Sequence, residues 1–392
     1  MGADGLSEAE LRTHLAGSPA ERPLGIYVHV PYCASRCGYC DFNTYTAAEL
    51  GPGVRQDTYV RDVLAELLMA RELLGGRTVG SVFFGGGTPT LLPASDLVGL
   101  VAAIRNEFDL TADAEITTEA NPDSVDSEYF DALLAGGFTR VSLGMQSAST
   151  QVLRTLERTH TSGRAVAAAR EAHAAGFRHV SLDLIYGTPG ESSTDWRESL
   201  DAATSAPVDH ISAYALTLEP GTAMGTAVRR GVLPGPDPDV AAERYETADE
   251  HLSAAGFAWY EISNWARPGG ECEHNLAYWR SQDWWGLGPG AHSHIAGARW
   301  WNVKHPRAYQ AQVARGLLPL ADGEVLSEQE QHTERIMLEV RLRSGVSRSL
   351  LPPRAAAELR ASGLVESAGG DLVRLTRRGR LLADTVITRI LP

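Results

Sequence analysis

Cys33, Cys37 and Cys40 fall within eight residues of the stretch PYCASRCGYCDF (31–42), and they are three of the four cysteines in the 392-residue chain. Three thiolates on one tight loop, with Gly38 easing its curvature, are soft ligands suited to zinc or to an iron–sulfur cluster. Structural zinc takes four ligands. No second CxxC pair exists, and the remaining cysteine, Cys272, lies 232 residues beyond Cys40. A zinc knuckle borrowing a distant ligand is one reading. A [4Fe–4S] cluster on three cysteines is the other, and it leaves one iron with an open position for a substrate or cofactor.

Further polar or glycine-rich features recur at regular intervals: GGGTPT (85–90), Glu119 in TTEANPD, Gln146 in GMQS, and Asp183 in HVSLDLIYG. Gly85, Gly86 and Gly87 remove side chains and let backbone approach a ligand closely. Glu119 and Asp183 can accept hydrogen bonds from hydroxyls or an amino group, Gln146 can donate and accept, and Arg158 can pair with a carboxylate. Arginine supplies 34 of the 35 basic residues. No single arginine therefore implies anion binding by its type alone.

The elements that must position these residues form one repeated theme. Short apolar or β-branched runs at 26–30, 81–84, 114–120, 139–145, 179–187 and 210–216 alternate with amphipathic stretches at 59–74, 94–108, 162–176 and 194–205. Strands alternating with helices predict βαβ units and a parallel sheet, either an open barrel or a doubly wound sheet. Each distinctive residue follows or ends a strand. In parallel α/β folds the site lies at that carboxyl edge. Beyond Gly221 the pattern changes. A Pro/Gly-rich linker (231–240) and a helix at about 240–255 precede a block, 259–301, that holds seven of the eight tryptophans and three histidines. The stretch 325–392 is helix-rich with a short strand pair and has a winged-helix look. The expected organisation is a flexible N-terminus (1–23), a barrel (24–220), a linker with the Trp/His-rich segment (221–324) and the C-terminal module (325–392).

Apolar residues make up 43% of the chain, enough for a real core. No run of eighteen apolar residues predicts a membrane span. The first 23 residues have neither the basic nor the apolar region of a secretory signal, and Leu6 spoils a myristoylation motif. The expected location is the cytoplasm. A net charge of −14 argues against gripping nucleic acid by its phosphates. The short basic run RRGR (377–380) is explained as well by a solvated helix end.

YVHVPYCASRCGYCDF resembles the cluster loop of the radical S-adenosylmethionine (radical SAM) superfamily. With GGGTPT, EANPD, GMQS and DLIYGTPG, it resembles the HemN-like group within it, from about residue 24 to the C-terminus. The resemblance implies a partial (β/α)6 barrel with an additional α/β segment and a winged-helix-like C-terminal domain. It implies a [4Fe–4S] cluster on Cys33, Cys37 and Cys40, whose open iron binds the amino and carboxylate groups of SAM. It places Tyr27, Gly87, Thr88, Glu119, Gln146, Arg158, Asp183 and Ala215 at SAM-contacting positions.

Two stretches bear on function. HNLAYW (274–279) resembles the H-N-x-x-Y-W motif of the haem-chaperone members of the group, which implies haem at His274. Neutral imidazole is a good axial ligand for haem iron, and Tyr278, Trp279, Trp284 and Trp285 could wall a flat macrocycle. His292 and His294 in GPGAHSH are further candidates. The decarboxylating members of the group carry another cysteine where this chain has Phe42. The favoured expectation is a non-enzymatic haem carrier that hands haem to acceptor proteins, membrane respiratory enzymes among them, with homodimerisation left open. The alternative is an oxygen-independent coproporphyrinogen III oxidase acting on porphyrinogen propionates. An RNA-modifying radical SAM enzyme is a third reading, disfavoured by the acidic charge.

Overall fold

A computed structural model describes residues 5–18, 22–51, 56–158 and 160–391. The six expected runs form β1 (Leu24–Val30), β2 (Thr78–Gly86), β3 (Asp109–Ala120), β4 (Arg140–Gln146), β5 (His179–Tyr186) and β6 (His210–Ala215), side by side in chain order and all parallel. Helices Gln56–Leu74, Ala94–Glu107, Arg164–Ala175 and Ser193–Ser205 lie where the periodicity placed them. A further helix, Ser127–Ala135, fills the third crossover, its first turn capped by the Asp126 carboxylate, which accepts from the Tyr129 amide.

Alternate residues of these strands take opposite faces. The outward set is apolar: Val28, Val82, Ile116, Val141, Leu182 and Ile211 are buried in the main core. The inward set is polar: Thr117, Glu119, Arg140, Ser142, Ser181, Asp183, His210 and Ser212 face a central chamber. The barrel is therefore sealed by its outer helices, while its interior is built to hold something polar.

The sheet stays open and is extended at both edges. On the β6 side, β7 (Ala258–Glu261) and β8 (Asn264–Ala266) add antiparallel. On the β1 side, β9 (Asp283–Leu287) pairs parallel with β1, and β10 (His292–Ile295), β11 (Ala298–Asn302) and β12 (Leu320–Val325) continue antiparallel. The tryptophan-rich block is thus split between opposite edges of one twelve-stranded sheet. Helix Glu273–Trp279 bridges the two halves beneath the barrel. It meets Gly25, Ser81 and Glu115, which stand at one register level on β1, β2 and β3.

Two expectations change. Residues 8–16 of the supposedly flexible N-terminus form a helix opened by a Ser7/Glu10 capping box. Leu11 and Leu15, one helical turn apart, are buried in the main core, and that burial holds the helix in place. Residues 1–4 and 19–21 of that segment lie outside the described residues. The RRGR run is not simply a solvated helix end. Arg380 is buried, with two hydrogen bonds of 2.8 and 2.6 Å to the Asp249 carboxylate, and it joins helix Arg377–Leu381 to helix Pro238–Ala254.

The C-terminal stretch combines helices Glu328–Glu339, Pro353–Ala361, Arg377–Leu381 and Ala383–Ile390 with a three-stranded antiparallel sheet of β13 (Val346–Ser347), β14 (Val365–Gly369) and β15 (Leu372–Leu375). It has its own small core around Val340, Leu359 and Val386.

Candidate functional site

The cysteine loop leaves the carboxyl end of β1 and is closed at its base by Cys33 N–H to the Tyr45 carbonyl (3.0 Å) and Tyr45 N–H to the Pro31 carbonyl (2.7 Å). Within it the Cys40 amide donates to the Cys37 carbonyl at 3.1 Å. Gly38 serves space rather than curvature: an added Cβ would crowd the Met224 and Glu157 side chains at 3.0–3.1 Å. The three sulfurs are half-buried and each has a polar neighbour. Thr88 Oγ1 lies 4.0 Å from Cys33, Arg158 Nη1 donates to Cys37 at 3.4 Å, and Thr44 Oγ1 lies 3.8 Å from Cys40. Burial raises the pKa of Cys33 and Cys40.

Beside this loop runs the glycine-rich turn after β2. The Gly87 amide donates to the Val30 carbonyl (2.8 Å) and the Thr88 amide to the Tyr32 carbonyl (2.7 Å). A Cβ on Gly87 would strike the Tyr32 carbonyl. The backbone thus lies tight against the cluster loop, a close approach only glycine permits. Gly86, at φ +106°, donates its amide to Glu119 Oε2 at 3.1 Å.

Glu119 and Asp183 are half-buried and line the same chamber. Burial, then the Asp183 charge, push the Glu119 pKa up to about 8. Burial also raises Asp183, against hydrogen bonds from Ser212 and from Ser142, whose one hydroxyl proton is shared between the two carboxylate oxygens at 3.0 and 2.9 Å. Gln146 ends β4 at φ +62°, a left-handed conformation costly for a non-glycine residue and typical of functional sites. Arg158 donates from Nη2 to the Gly144 carbonyl at 3.2 Å, while its buried Nε has no partner among the described residues. Tyr27 places its hydroxyl 3.0 Å from His29 Nδ1. Ala215 is the last residue of β6.

One cavity of about 760 Å³ is lined by Cys33, Cys37 and Cys40 together with Tyr27, Gly87, Thr88, Glu119, Gln146, Arg158, Asp183 and Ala215. Every sequence-derived cluster and SAM position thus meets in one chamber. No three His, Cys, Asp or Glu side chains among the described residues converge on a single point as a mononuclear metal site would require. A cluster divides its cysteines among different irons, so three thiolates ringing a cavity fit it better than they fit zinc. The unpartnered Arg158 Nε and the likewise unpartnered, buried Thr117 Oγ1 fit a polar ligand in the same space.

The chamber also has members that sequence reasoning passed over: Thr117, Arg140, Ser142, Ser181, His210 and Ser212. Their signal was available as alternation. In RVSLG, SLD and HIS the polar residues sit at every second strand position, the pattern of a polar inner face. Glu115 was missed as well. It accepts from Arg140 Nε (2.8 Å) and from the backbone amides of His274 (3.0 Å) and Glu273 (3.2 Å), pinning the helix that closes the chamber floor.

His274 stands on that floor, buried. Ser81 Oγ lies 2.8 Å from its Nδ1 and Tyr278 OH 2.9 Å from its Nε2. Its ring stacks on Phe83 at 5.2 Å, and burial pushes its pKa down to about 4. Both nitrogens are therefore engaged within the fold. The expected aromatic wall is divided: Tyr278 lines the chamber, Trp284 packs edge-on against Tyr278 at 4.6 Å, and Trp285 is buried against Trp300 instead. His292 and His294 lie on β10, outside the chamber lining.

An open parallel half-barrel with a three-cysteine loop after β1 and a glycine turn after β2, both facing one polar chamber, is the architecture of a radical-SAM-type cluster protein. The Radical SAM superfamily model matches residues 27–203. Over 381 residues the chain is 55% identical to the heme chaperone HemW of Mycobacterium tuberculosis, covering 96% of this chain and 97% of that one. It is 39% identical to heme chaperone HemW of Escherichia coli across 73% of this chain and 75% of that one. The solved structure of E. coli coproporphyrinogen III oxidase (HemN), described as a radical SAM enzyme, superposes with a TM-score of 0.83 at 24% identity, covering 98% of this chain and 93% of that one, and shows the shared fold. The chain belongs to the HemW family of the radical SAM superfamily, whose cofactors are a [4Fe–4S] cluster and SAM.

Proposed function

We infer that the protein is a haem chaperone, binding haem and passing it to acceptor proteins while carrying a SAM-coordinated [4Fe–4S] cluster. The observation that carries this reading is the near-full-length likeness to heme chaperone HemW. Phe42 supports it, since this position lacks the extra cysteine of the decarboxylating relatives.

The cluster, when bound, supplies an electron-transfer centre with one open coordination position. Cys33, Cys37 and Cys40 would hold it, with Thr88, Arg158 and Thr44 polarising the sulfurs from the distances given above. Arg158, already fixed to Gly144, would meet the carboxylate of SAM. Glu119 and Asp183 would accept from its amino or hydroxyl groups, giving up the proton that desolvation favours. Gly87 and Thr88 hold backbone close to the methionine end, and Tyr27, Gln146 and Ala215 complete the walls.

Haem-acceptor proteins, respiratory enzymes at the membrane among them, are the proposed partners, with the cytoplasm as the proposed location and a homodimer as a possible assembly. No helix among the described residues is long and apolar enough to cross a membrane. The test is anaerobic reconstitution with iron and sulfide, followed by haem titration and transfer to an apo-haemoprotein. A Soret band and transfer are expected. Conversion of coproporphyrinogen III to protoporphyrinogen IX above a Cys37→Ala control, without haem retention, would overturn the reading in favour of the oxidase.

A further inference from the structure

The two nitrogens of His274 meet different surroundings. Nδ1 lies 2.8 Å from Ser81 Oγ, on a buried residue of β2 that stands outside the chamber lining. Nε2 lies 2.9 Å from Tyr278 OH, and Tyr278 lines the chamber. The ring thus turns one nitrogen to the strand wall and the other to the chamber side.

Three strands build this aim. On β1, Gly25 leaves the room: a Cβ there would meet His274 Cε1 and Ser81 Oγ, each at 3.3 Å. On β2, Phe83 shares a face with Ser81 and stacks on the ring at 5.2 Å and 23°. On β3, Glu115 takes the backbone amides of Glu273 and His274 and fixes the helix that carries the ring. Asn275 fastens the same helix to β7, donating to Tyr260 OH at 3.2 Å and to Glu261 Oε1 at 3.3 Å. Backbone and ring plane are set by these contacts. A half-turn of the ring would still put carbon where nitrogen stands, and the hydroxyls of Ser81 and Tyr278 oppose that turn.

Ligation makes a demand on this pair. A neutral imidazole has one N–H and one lone pair. Iron on Nε2 leaves Nδ1 as the N–H, and a buried N–H needs an acceptor. Metal-ligating histidines characteristically donate that second N–H to a group behind them, which fixes the ring and raises its basicity. Ser81 Oγ is within reach, and a hydroxyl accepts as well as donates. Tyr278 has the complementary task. Its hydroxyl occupies Nε2 and must leave before iron can bind. Tyr278 is four residues along the same helix, so a side-chain rotation releases it and the floor stays in place.

We propose that Ser81 is the positioning residue of haem ligation, accepting from His274 Nδ1 so that Nε2 is the nitrogen given to iron, and that the Tyr278 hydroxyl holds Nε2 until haem displaces it. The inference rests on the haem-chaperone reading and on haem at His274, which the HNLAYW resemblance implies. It adds the residue behind the ligand, 193 positions away in the chain and outside that motif.

The experiment is a hemin titration of the reconstituted protein followed by Soret absorbance, with the midpoint potential of the bound haem measured on each complex. Wild type, Ser81→Ala, Tyr278→Phe and His274→Gln are compared, with circular dichroism recording each fold. Ser81→Ala should bind about 10–100-fold more weakly, the usual cost of losing an outer partner, and the haem potential should rise because the imidazole becomes a poorer electron donor. If the alanine variant does not fold, Ser81→Cys, close in size and a weak acceptor, carries the same expectation. Tyr278→Phe should bind roughly two- to tenfold more tightly, since one hydrogen bond no longer has to break. His274→Gln should lose the ligated Soret signature, and added imidazole should restore it. An unshifted potential in folded Ser81→Ala overturns the positioning role, whatever its affinity, and leaves the chaperone reading intact. Equal or weaker binding by Tyr278→Phe overturns the hold on Nε2. A wild-type Soret spectrum for His274→Gln overturns the assignment as a whole. A wild type that takes up no haem overturns it together with the chaperone reading.

Discussion

Glu119 and Asp183 were legible as acceptors from their place at strand ends, but their state was not. Two half-buried carboxylates lining one chamber cannot both ionise cheaply, and desolvation, then the Asp183 charge, push Glu119 up to about 8. In the proposed site SAM would bring its cationic sulfonium near this wall. Glu119→Gln removes a charged acceptor, a change of about 1.5–3 kcal/mol or roughly ten- to hundredfold in Kd. Equilibrium dialysis of SAM against the reconstituted variant checks this, and unchanged affinity would remove Glu119 from the SAM site. Gln146 shows the opposite case. The residue was read from its motif, whereas its left-handed backbone depends on the shift in register between β4 and β5 that only the paired strands impose.

Helix Glu273–Trp279 owes its position to a buried charge pair rather than to its own seven residues, too short a stretch to be stable alone. Arg140, itself buried, donates to Glu115 and to the carbonyls of Gly270 (3.0 Å) and Glu271 (2.8 Å), while Glu115 receives the helix's first amides. Glu115→Ala leaves that guanidinium buried without its counter-charge, a loss of about 3–5 kcal/mol. Urea unfolding is expected to show it, with Glu115→Gln losing less because the amide oxygen still accepts. The N-terminal helix makes a second expectation at this scale. Leu11→Ala empties a fully buried site and should cost about 2–5 kcal/mol, measured the same way; a neutral result would return residues 8–16 to the status of a loose tail. Its polar, mixed composition hid this helix, because two leucines one turn apart are a weak signal until a core surface meets them.

Across the whole molecule, burial leaves several carboxyls protonated near neutrality: Glu119 at about 8, and Glu66 and Glu191 at about 7, against an ordinary 4.5. Each has a folded pKa above its unfolded value. Its stabilising contribution is therefore complete below the ordinary value and lost as pH rises through 7–8. The buried histidines work the other way: His274 and His160, at about 4, add stability as pH climbs to their ordinary 6.5 and change little above it. Between pH 7 and 9 only the carboxyl effect remains among these groups, and raised tyrosine and cysteine values act in the same direction at the upper end. The Tm of the SAM-free protein is expected to fall over that window, and Glu119→Gln should make the fall shallower. Differential scanning calorimetry across pH 7–9 decides it; a flat profile for wild type would contradict it.

The sequence by itself determined the parallel core and the chemistry of its upper edge. Alternating strands and helices, and polar residues at each strand's end, are local signals, and βαβ connections bring such ends to one edge with little choice. It also set three cysteines close together at one edge of the chamber, since their spacing lies within one loop. Tertiary structure alone decided what the tryptophan-rich block does. Residues adjacent in the chain separate to opposite edges of the sheet, Trp265 beside β6 and Trp285 beside β1, because strand pairing is a long-range choice that no local pattern encodes. The same choice buried His274 on the barrel floor and left His292 exposed on β10, so two imidazoles that looked alike in sequence came to stand in different surroundings.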